Sequence, residues 1–290
     1  MNIALIGNGY WGSKLKRYIE ENEFFTLSYV CDSTTGIEHI LNDDSIRAVV
    51  VATPNATHYD IVKACLSNGK HVLSEKPLAT KKEQCIELRD IAKANNVFLE
   101  TEYTYTYSKA VGMARSILSK EDNIGIDMSV KHLGRFGGGS VYWLLGSHML
   151  SILDTICDID DLSFSSSDIY ADNGAVETGD IYFKGEHING RIGISLNHPE
   201  KDVSVSFYCD GMTLIYRPLC EESLVMHEYD KSAWVVAGDL NRFVDTWKCD
   251  ETNNLKFSIE NFEKVVKGEV DSNINSAIKI TGVLEEISKR

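Results

Sequence analysis

Three glycines, an aspartate and a lysine give this sequence its first chemistry. Gly7, Gly9 and Gly12 follow a short apolar run at Gly-x-Gly-x-x-Gly spacing, with Asn8, Tyr10 and Trp11 between them. That spacing suits a strand turning into a helix. Gly7 permits the tight turn, Gly9 lets the backbone approach a pyrophosphate, and Gly12 lets the helix lie close to the sheet. The helix N-terminus then aims free N–H groups at the phosphates. Asp32 stands 25 positions after Gly7. A carboxylate there accepts hydrogen bonds from the adenosine ribose and repels a 2′-phosphate, and no arginine follows at once, so NAD is favoured over NADP. A plain Gly-rich turn and a solvated strand-end aspartate are the alternatives.

These groups need a parallel sheet to bring them together. Ile3 to Ile6 reads as a first strand, Trp11 to Glu21 as a helix, and Phe25 to Cys31 as a second strand. A weak helical stretch, Ile37 to Leu41, precedes Ala48-Val49-Val50-Val51-Ala52, an apolar run suited to a strand covered on both faces. Thr53-Pro54-Asn55 ends it, and Thr57 with Asp60 resembles a capping box for a helix over 58–68 that Gly69 closes. A fourth strand, His71 to Glu75, runs into Lys76-Pro77; a helix over 80–95 and a strand from Val97 to Thr101 follow. This alternation predicts a doubly wound sheet whose carboxyl edge gathers Gly7, Asp32, Thr53 and Lys76. Beside a positively charged nicotinamide, Lys76 would lose its proton more easily than a surface lysine.

Beyond about residue 120 the pattern changes. Ile124 to Leu133 alternates like a strand, and a glycine patch carrying Arg135 leads into an apolar helix ending near Cys157. Strand-like stretches follow near 162–171, 175–184, 186–197, 202–209 and 212–216 without intervening helices, which predicts an antiparallel sheet. Asp239 to Trp247, Phe257 to Lys267 and Ile274 to Ile287 read as helical. The expected class is α/β, in two parts: a Rossmann domain over 1–120, and an α+β domain over 121–290 with an open, mainly antiparallel sheet. An exposed apolar sheet face would favour pairing with another copy.

The chain has 290 residues, 29 basic against 43 acidic, and a net charge of −14. That balance argues against nucleic acid or an anionic membrane as partner. The seven cysteines are scattered, without CxxC or a metal-ligand cluster, so reduced thiols and no metal site are expected. A chain that starts directly on a strand, without a leader or an apolar span, is expected to be cytoplasmic.

Four motifs then line up: Gly7-x-Gly9-x-x-Gly12, Thr53-Pro54-Asn55-x-x-His58, Gly69-Lys70-His71-Val72-Leu73-x-Glu75-Lys76-Pro77, and the glycine patch followed by His148. Together they resemble the glucose–fructose oxidoreductase / inositol dehydrogenase (Gfo/Idh/MocA) family. The resemblance implies a homo-oligomer, a dimer or tetramer, that moves hydride between a nicotinamide cofactor and a hydroxyl or keto carbon of a sugar or nucleotide sugar. Tyr103 to Val111, Leu133-Gly134-Arg135 and Val141-Tyr142-Trp143-x-Leu145-x-x-His148 look like members acting on surface-polysaccharide sugars. By resemblance, Gly7 to Gly12, Asp32, Thr53, Pro54, Asn55, His58, Glu75 and Lys76 form the cofactor side. Lys76, Tyr107, Arg135 and His148 form the substrate side, with Lys76 and His148 catalytic. Without the resemblance, His148 would read as a satisfied helix histidine. Arg135 suits an anionic substrate group, since a guanidinium fork matches carboxylates and phosphates, but an ordinary surface arginine is the equal alternative.

One departure stands out. Four residues before the histidine, one helical turn away, the family usually carries aspartate, and this chain has Leu144; three residues after it stands Ser151. A reductase of a non-sugar carbonyl or imine, and a cofactor- or sugar-binding regulator without turnover, are therefore alternatives to a sugar oxidoreductase.

Overall fold

The computed structural model describes residues 1–32, 34–134, 139–172, 174–229 and 241–289. The chain forms two compact units, Met1–Tyr107 with Asn253–Glu285, and Ser108–Thr252 with Glu286–Arg290.

The first unit opens with β1 (Asn2–Ile6), α1 (Tyr10–Glu20), β2 (Thr26–Cys31), α2 (Glu38–Asn42), β3 (Ile46–Val51), α3 (Asn55–Ser67), β4 (His71–Glu75), α4 (Lys82–Ala94) and β5 (Leu99–Glu102). The five strands are parallel in the order β2-β1-β3-β4-β5, the expected doubly wound sheet. Strand order reverses between β1 and β3, which is where such sheets bind ligands. The apolar run of β3 is covered on both faces, with Ala48 to Val51 fully buried. Two expectations shift in detail. Helix α3 starts three residues earlier than read, with Pro54 as N-cap. Thr57 is not its cap; its hydroxyl donates to Thr53 Oγ1 and to the Pro54 carbonyl, both at 2.8 Å.

The second unit holds α5 (Lys109–Leu118), β6 (Ile124–Leu133) and α6 (Ser147–Ile156), then β7 (Ser163–Asp172), β8 (Ala175–Lys184), β9 (Ile188–Ser195), β10 (Asn197–Cys209), β11 (Met212–Tyr216), β12 (Leu224–Tyr229) and β13 (Asn241–Trp247). They make one sheet, β13-β12-β11-β10-β6-β9-β8-β7, antiparallel except between β6 and β9. The pattern change near residue 120 marks the approach to β6. Residues 241–247 correct the helical expectation for 239–247: they pair antiparallel with β12. Phe243, Val244, Thr246 and Trp247 are β-favouring residues, and cross-strand pairing decides such a short ambiguous stretch.

One sheet face buries Ile126, Met128, Val130, Val203, Val205 and Phe207. The other face is mixed, with Tyr182 and Tyr208 exposed on it beside polar groups. It carries Asp127 and Arg191, and Arg191 Nε donates to Asp127 at 3.2 Å.

The chain then returns to the first unit with α7 (Asn254–Lys267) and α8 (Ile274–Ile287). Helix α7 places Ile259 and Phe262 in the core formed by Ile3, Leu5, Leu15, Ile19 and Leu73; Phe262 stacks on Phe25 at 5.6 Å. Gly268, at φ +72°, ends the helix in the left-handed region. No helix among the described residues is long and apolar enough to cross a membrane. The seven cysteines are free thiols.

Candidate active site

The glycine turn is built as the spacing predicts. Gly7, at φ +98°, leaves β1, and its N–H donates to the Cys31 carbonyl at 2.8 Å. A Cβ on Gly7 would strike the Ala52 backbone, and one on Gly12 would overlap the Gly7 carbonyl. Both glycines therefore serve the fold. Gly9 is different: no atom lies within 4 Å of where its Cβ would be, and its φ of −78° is open to any residue. Among the described residues nothing requires glycine there. A phosphate approaching the backbone at the N-terminus of α1 does require it, and on this ground the turn fits a dinucleotide. Tyr10 and Trp11 are exposed beside it, with Lys14 Nζ over both rings at 4.4 and 4.7 Å. Asn8 is exposed in the turn itself.

Asp32 follows β2 at the same edge. Its Oδ1 accepts from Thr34 N at 2.9 Å, Thr34 Oγ1 at 2.7 Å and Thr35 Oγ1 at 3.2 Å. These bonds hold the carboxyl below its usual pKa, so the group is a fixed anion at the place where a ribose would lie.

Thr53, Pro54 and Asn55 cross from β3 into α3, and Lys76-Pro77 follows β4 through a cis peptide. His58 is expected on the cofactor side, yet it is fully buried. Its Nδ1 lies 2.8 Å from the Pro77 carbonyl oxygen and its Nε2 2.7 Å from that of Thr53. The residue joins two edge loops rather than facing outward.

Lys76 stands among carboxyls. Glu75 ends β4 and Glu102 ends β5, 8% and 1% exposed. Burial pushes both carboxyl pKa values up and pushes the Lys76 pKa down, while the two acids pull the lysine back toward its charged form. Thr104 Oγ1 donates to Glu102 Oε2 at 2.8 Å. Sequence reading missed Glu102; the clue is the acid two residues after Glu100 in a buried strand, where alternate residues share a face. Tyr107, expected near substrate, donates its hydroxyl to Glu100 Oε1 at 3.1 Å. Asn261 Nδ2 donates to the same oxygen at 3.1 Å, and Asn273 N to Oε2 at 2.9 Å.

In the second unit, His148 is the second residue of α6 and is half-buried. A π-helical turn, Tyr142–Gly146, precedes it. Leu144 thus falls within a π-turn, where the backbone bonds run i to i+5 rather than i to i+4. Leu144 lies against Gly139, where a Cβ would meet its Cδ1 at 3.3 Å. Tyr142 anchors the turn, donating to Asp168 Oδ1 at 2.7 Å. Arg135 lies outside the described residues. Among the described residues, no group of three or more His, Cys, Asp or Glu side chains could hold a metal ion.

Residues 13–103 match a family described as an oxidoreductase family with an NAD-binding Rossmann fold, Gfo/Idh/MocA. An uncharacterized oxidoreductase of Streptococcus pneumoniae is 29% identical over 134 residues, 41% of this chain and 36% of that protein. The levoglucosan dehydrogenase of Pseudarthrobacter phenanthrenivorans is 33% identical over 100 residues, 34% of this chain and 25% of that protein. The matched stretches thus span little more than a third of these curated relatives, or less. The 3-ketoreductase KijD10 of Actinomadura kijaniata, solved with TDP-benzene and NADP, superposes with a TM-score of 0.85 at 15% identity, covering 99% of this chain and 96% of that one. The likeness in fold thus covers nearly the whole chain, and the family match falls on residues 13–103, a stretch that includes Lys76. Over residues 13–103 the chain is thus similar to the Gfo/Idh/MocA oxidoreductase family.

Proposed function

We propose that this protein is an NAD-dependent oxidoreductase moving hydride between the nicotinamide and a hydroxyl or keto carbon of a sugar or nucleotide sugar. The observation that carries the reading is the carboxyl edge of the first sheet, where Gly9 is open to a phosphate, Asp32 is a fixed anion and Lys76 sits between buried acids. The glycine turn and the start of α1 hold the diphosphate, Asp32 the adenosine ribose, and the Thr53 and Lys76 loops the nicotinamide end. The nicotinamide held there would supply the hydride acceptor in oxidation and the donor in reduction. Lys76 hydrogen-bonds the reacting oxygen and steadies its charge. His148 takes the hydroxyl proton in oxidation and gives it back in reduction, a task suited to an imidazole. Arg135 binds an anionic group of the substrate, and Tyr107 helps to shape the same side. The sugar class is supported by the levoglucosan dehydrogenase relative and by the nucleotide-linked ligand of KijD10. A cytoplasmic homo-oligomer belongs to the same reading, and light scattering tests its assembly.

A second reading, a binding protein without turnover, draws on Leu144, an apolar side chain where the family usually has an acid. A thermal-shift screen with NAD, NADP and a panel of sugars and nucleotide sugars, followed by nicotinamide absorbance, separates the two. A ligand that binds only the folded chain raises its stability. NAD and a sugar-class ligand should both do so, and absorbance should change with both present. Stabilisation without any absorbance change selects the binding protein.

A further inference from the structure

We propose that His58 is a buried imidazolium staple, a positioning residue that donates from both ring nitrogens to the Thr53 and Pro77 carbonyls and sets a positive charge beside Lys76. The argument starts from donor counting. A neutral imidazole has one N–H and one bare nitrogen, whereas an imidazolium has two N–H groups. Both partners of His58 are backbone carbonyl oxygens, which only accept. At 2.8 Å from Pro77 O and 2.7 Å from Thr53 O, a bare nitrogen would place its lone pair against that of the oxygen. Two charge-assisted donations fit both lengths.

Burial opposes this charge. The ring is 0% exposed, and both burial and the Lys76 charge pull its pKa below the ordinary value, while the two carbonyls pull it up. A buried charge survives only where its hydrogen-bonding capacity is filled, and here both N–H groups are filled. Lys76 is the charged neighbour of the ring, and Glu75 and Glu102 in turn act on Lys76, although burial pushes both carboxyls toward their neutral form.

The staple has a consequence for Lys76. Thr53 ends the approach to α3 and Pro77 follows Lys76 directly, so one ring fixes the spacing of the two loops that carry the motifs. Its charge also disfavours the Lys76 ammonium, because like charges make the charged form costlier. His58 thereby helps to hold Lys76 in place and to make its proton easier to lose.

Two measurements on the full chain without substrate test this, so they stand apart from the oxidoreductase reading. Nitrogen NMR of ¹⁵N-histidine protein, assigned with His58→Asn, should show two protonated ring nitrogens for His58 at neutral pH; one bare nitrogen overturns the proposal. In ¹³C-lysine protein, the Lys76 titration midpoint, assigned with Lys76→Met, should rise by roughly one pH unit in His58→Asn and in His58→Gln. An unmoved midpoint in either folded variant also overturns it. If neither variant folds, the ring nitrogens are assigned in the parent by their coupling to the neighbouring backbone, and they alone decide.

Discussion

Glu75 and Glu102 are register partners on adjacent parallel strands, so two buried carboxyls share one side of the sheet at its carboxyl edge. Burial raises the pKa of both, Glu75 raises that of Glu102 further, and Lys76 lowers both. The lysine therefore does not titrate alone. Glu102→Gln keeps an oxygen to accept from Thr104 but removes one of the two negative charges that hold Lys76 in its charged form. The Lys76 midpoint should fall, in the opposite direction to that expected for the His58 variants. The same ¹³C-lysine titration measures it, and a midpoint that rises or stays put would contradict the arrangement.

Gly9 and Gly12 serve different masters, and substitution can separate them. Gly12→Ala drives a methyl into the Gly7 carbonyl, so it should destabilise the fold by about 1–3 kcal/mol. Gly9→Ala meets no protein atom within 4 Å and should leave the unfolding midpoint almost unchanged. It should still weaken NAD by about tenfold, or ~1.4 kcal/mol, if a phosphate lies against that backbone. Urea unfolding and a fluorescence titration with NAD make the comparison. Equal NAD affinity in the parent and Gly9→Ala would remove the reason given for the glycine.

What could be read from the sequence is what local chemistry marks. The glycine turn, the covered run of β3 and the Lys76-Pro77 loop each announce themselves within a dozen residues. Glu100 and Glu102 did not, because acids on a short strand ordinarily mean solvent. Their burial depends on distant chain, with Asn261 and Asn273 coming from more than 150 residues away. The double contact of His58 is hidden for a similar reason, since its carbonyls belong to loops 5 and 19 residues off. The π-turn before His148 has no local sequence mark at all. Residues 241–247 misled because their apolar spacing fits a helix, while the edge of β12 supplies the bonds that make them a strand.

Glu100 should make the stability fall as pH rises. Burial lifts its carboxyl to about 7 from an ordinary value near 4.5, although Tyr107, Asn261 and Asn273 donate to it. The folded chain thus favours the protonated acid more than the unfolded chain does. A group raised in this way contributes fully below the unfolded value, and its contribution is lost as pH rises through the folded one. The span corresponds to at most about 3 kcal/mol. Urea unfolding from pH 4.5 to pH 8 should show a flatter decline for Glu100→Gln than for the parent, and parallel curves would sink the assignment. Taking the difference between the two chains removes the shared contributions of Glu75, Lys76 and Glu102.

Asp32 should select the cofactor. Its Oδ1 is occupied by Thr34 and Thr35, which fixes the anion and leaves Oδ2 to meet a ribose hydroxyl. A 2′-phosphate at that place faces a fixed negative charge, so NAD should bind at least about tenfold more tightly than NADP, ~1.4 kcal/mol. Asp32→Ala should narrow the gap chiefly by improving NADP. Calorimetric titration of both chains with both cofactors decides it, and tighter NADP binding by the parent would overturn the choice.

Lys76 and His148 are the groups on which turnover should depend. In oxidation the hydroxyl proton has to leave as hydride leaves the carbon, and a base within reach of that proton is typically worth ~10²–10⁴ in rate. Lys76→Met removes the amine from between Glu75 and Glu102, and His148→Ala removes a half-buried ring near the start of α6. Neither change touches the glycine turn or Asp32, so NAD affinity should stay within about threefold while single-turnover hydride transfer, read by nicotinamide absorbance, drops ~10²-fold or more. The two losses should also differ in their pH dependence. In oxidation, the His148→Ala profile should lose the inflection of its general base, and the Lys76→Met profile should keep it. Comparable rates in all three chains would remove both residues from the chemistry. If the parent binds NAD but transfers no hydride to or from any sugar in a broad panel, Leu144→Asp becomes the decisive chain. Activity gained there would trace the silence of the parent to the carboxylate it lacks.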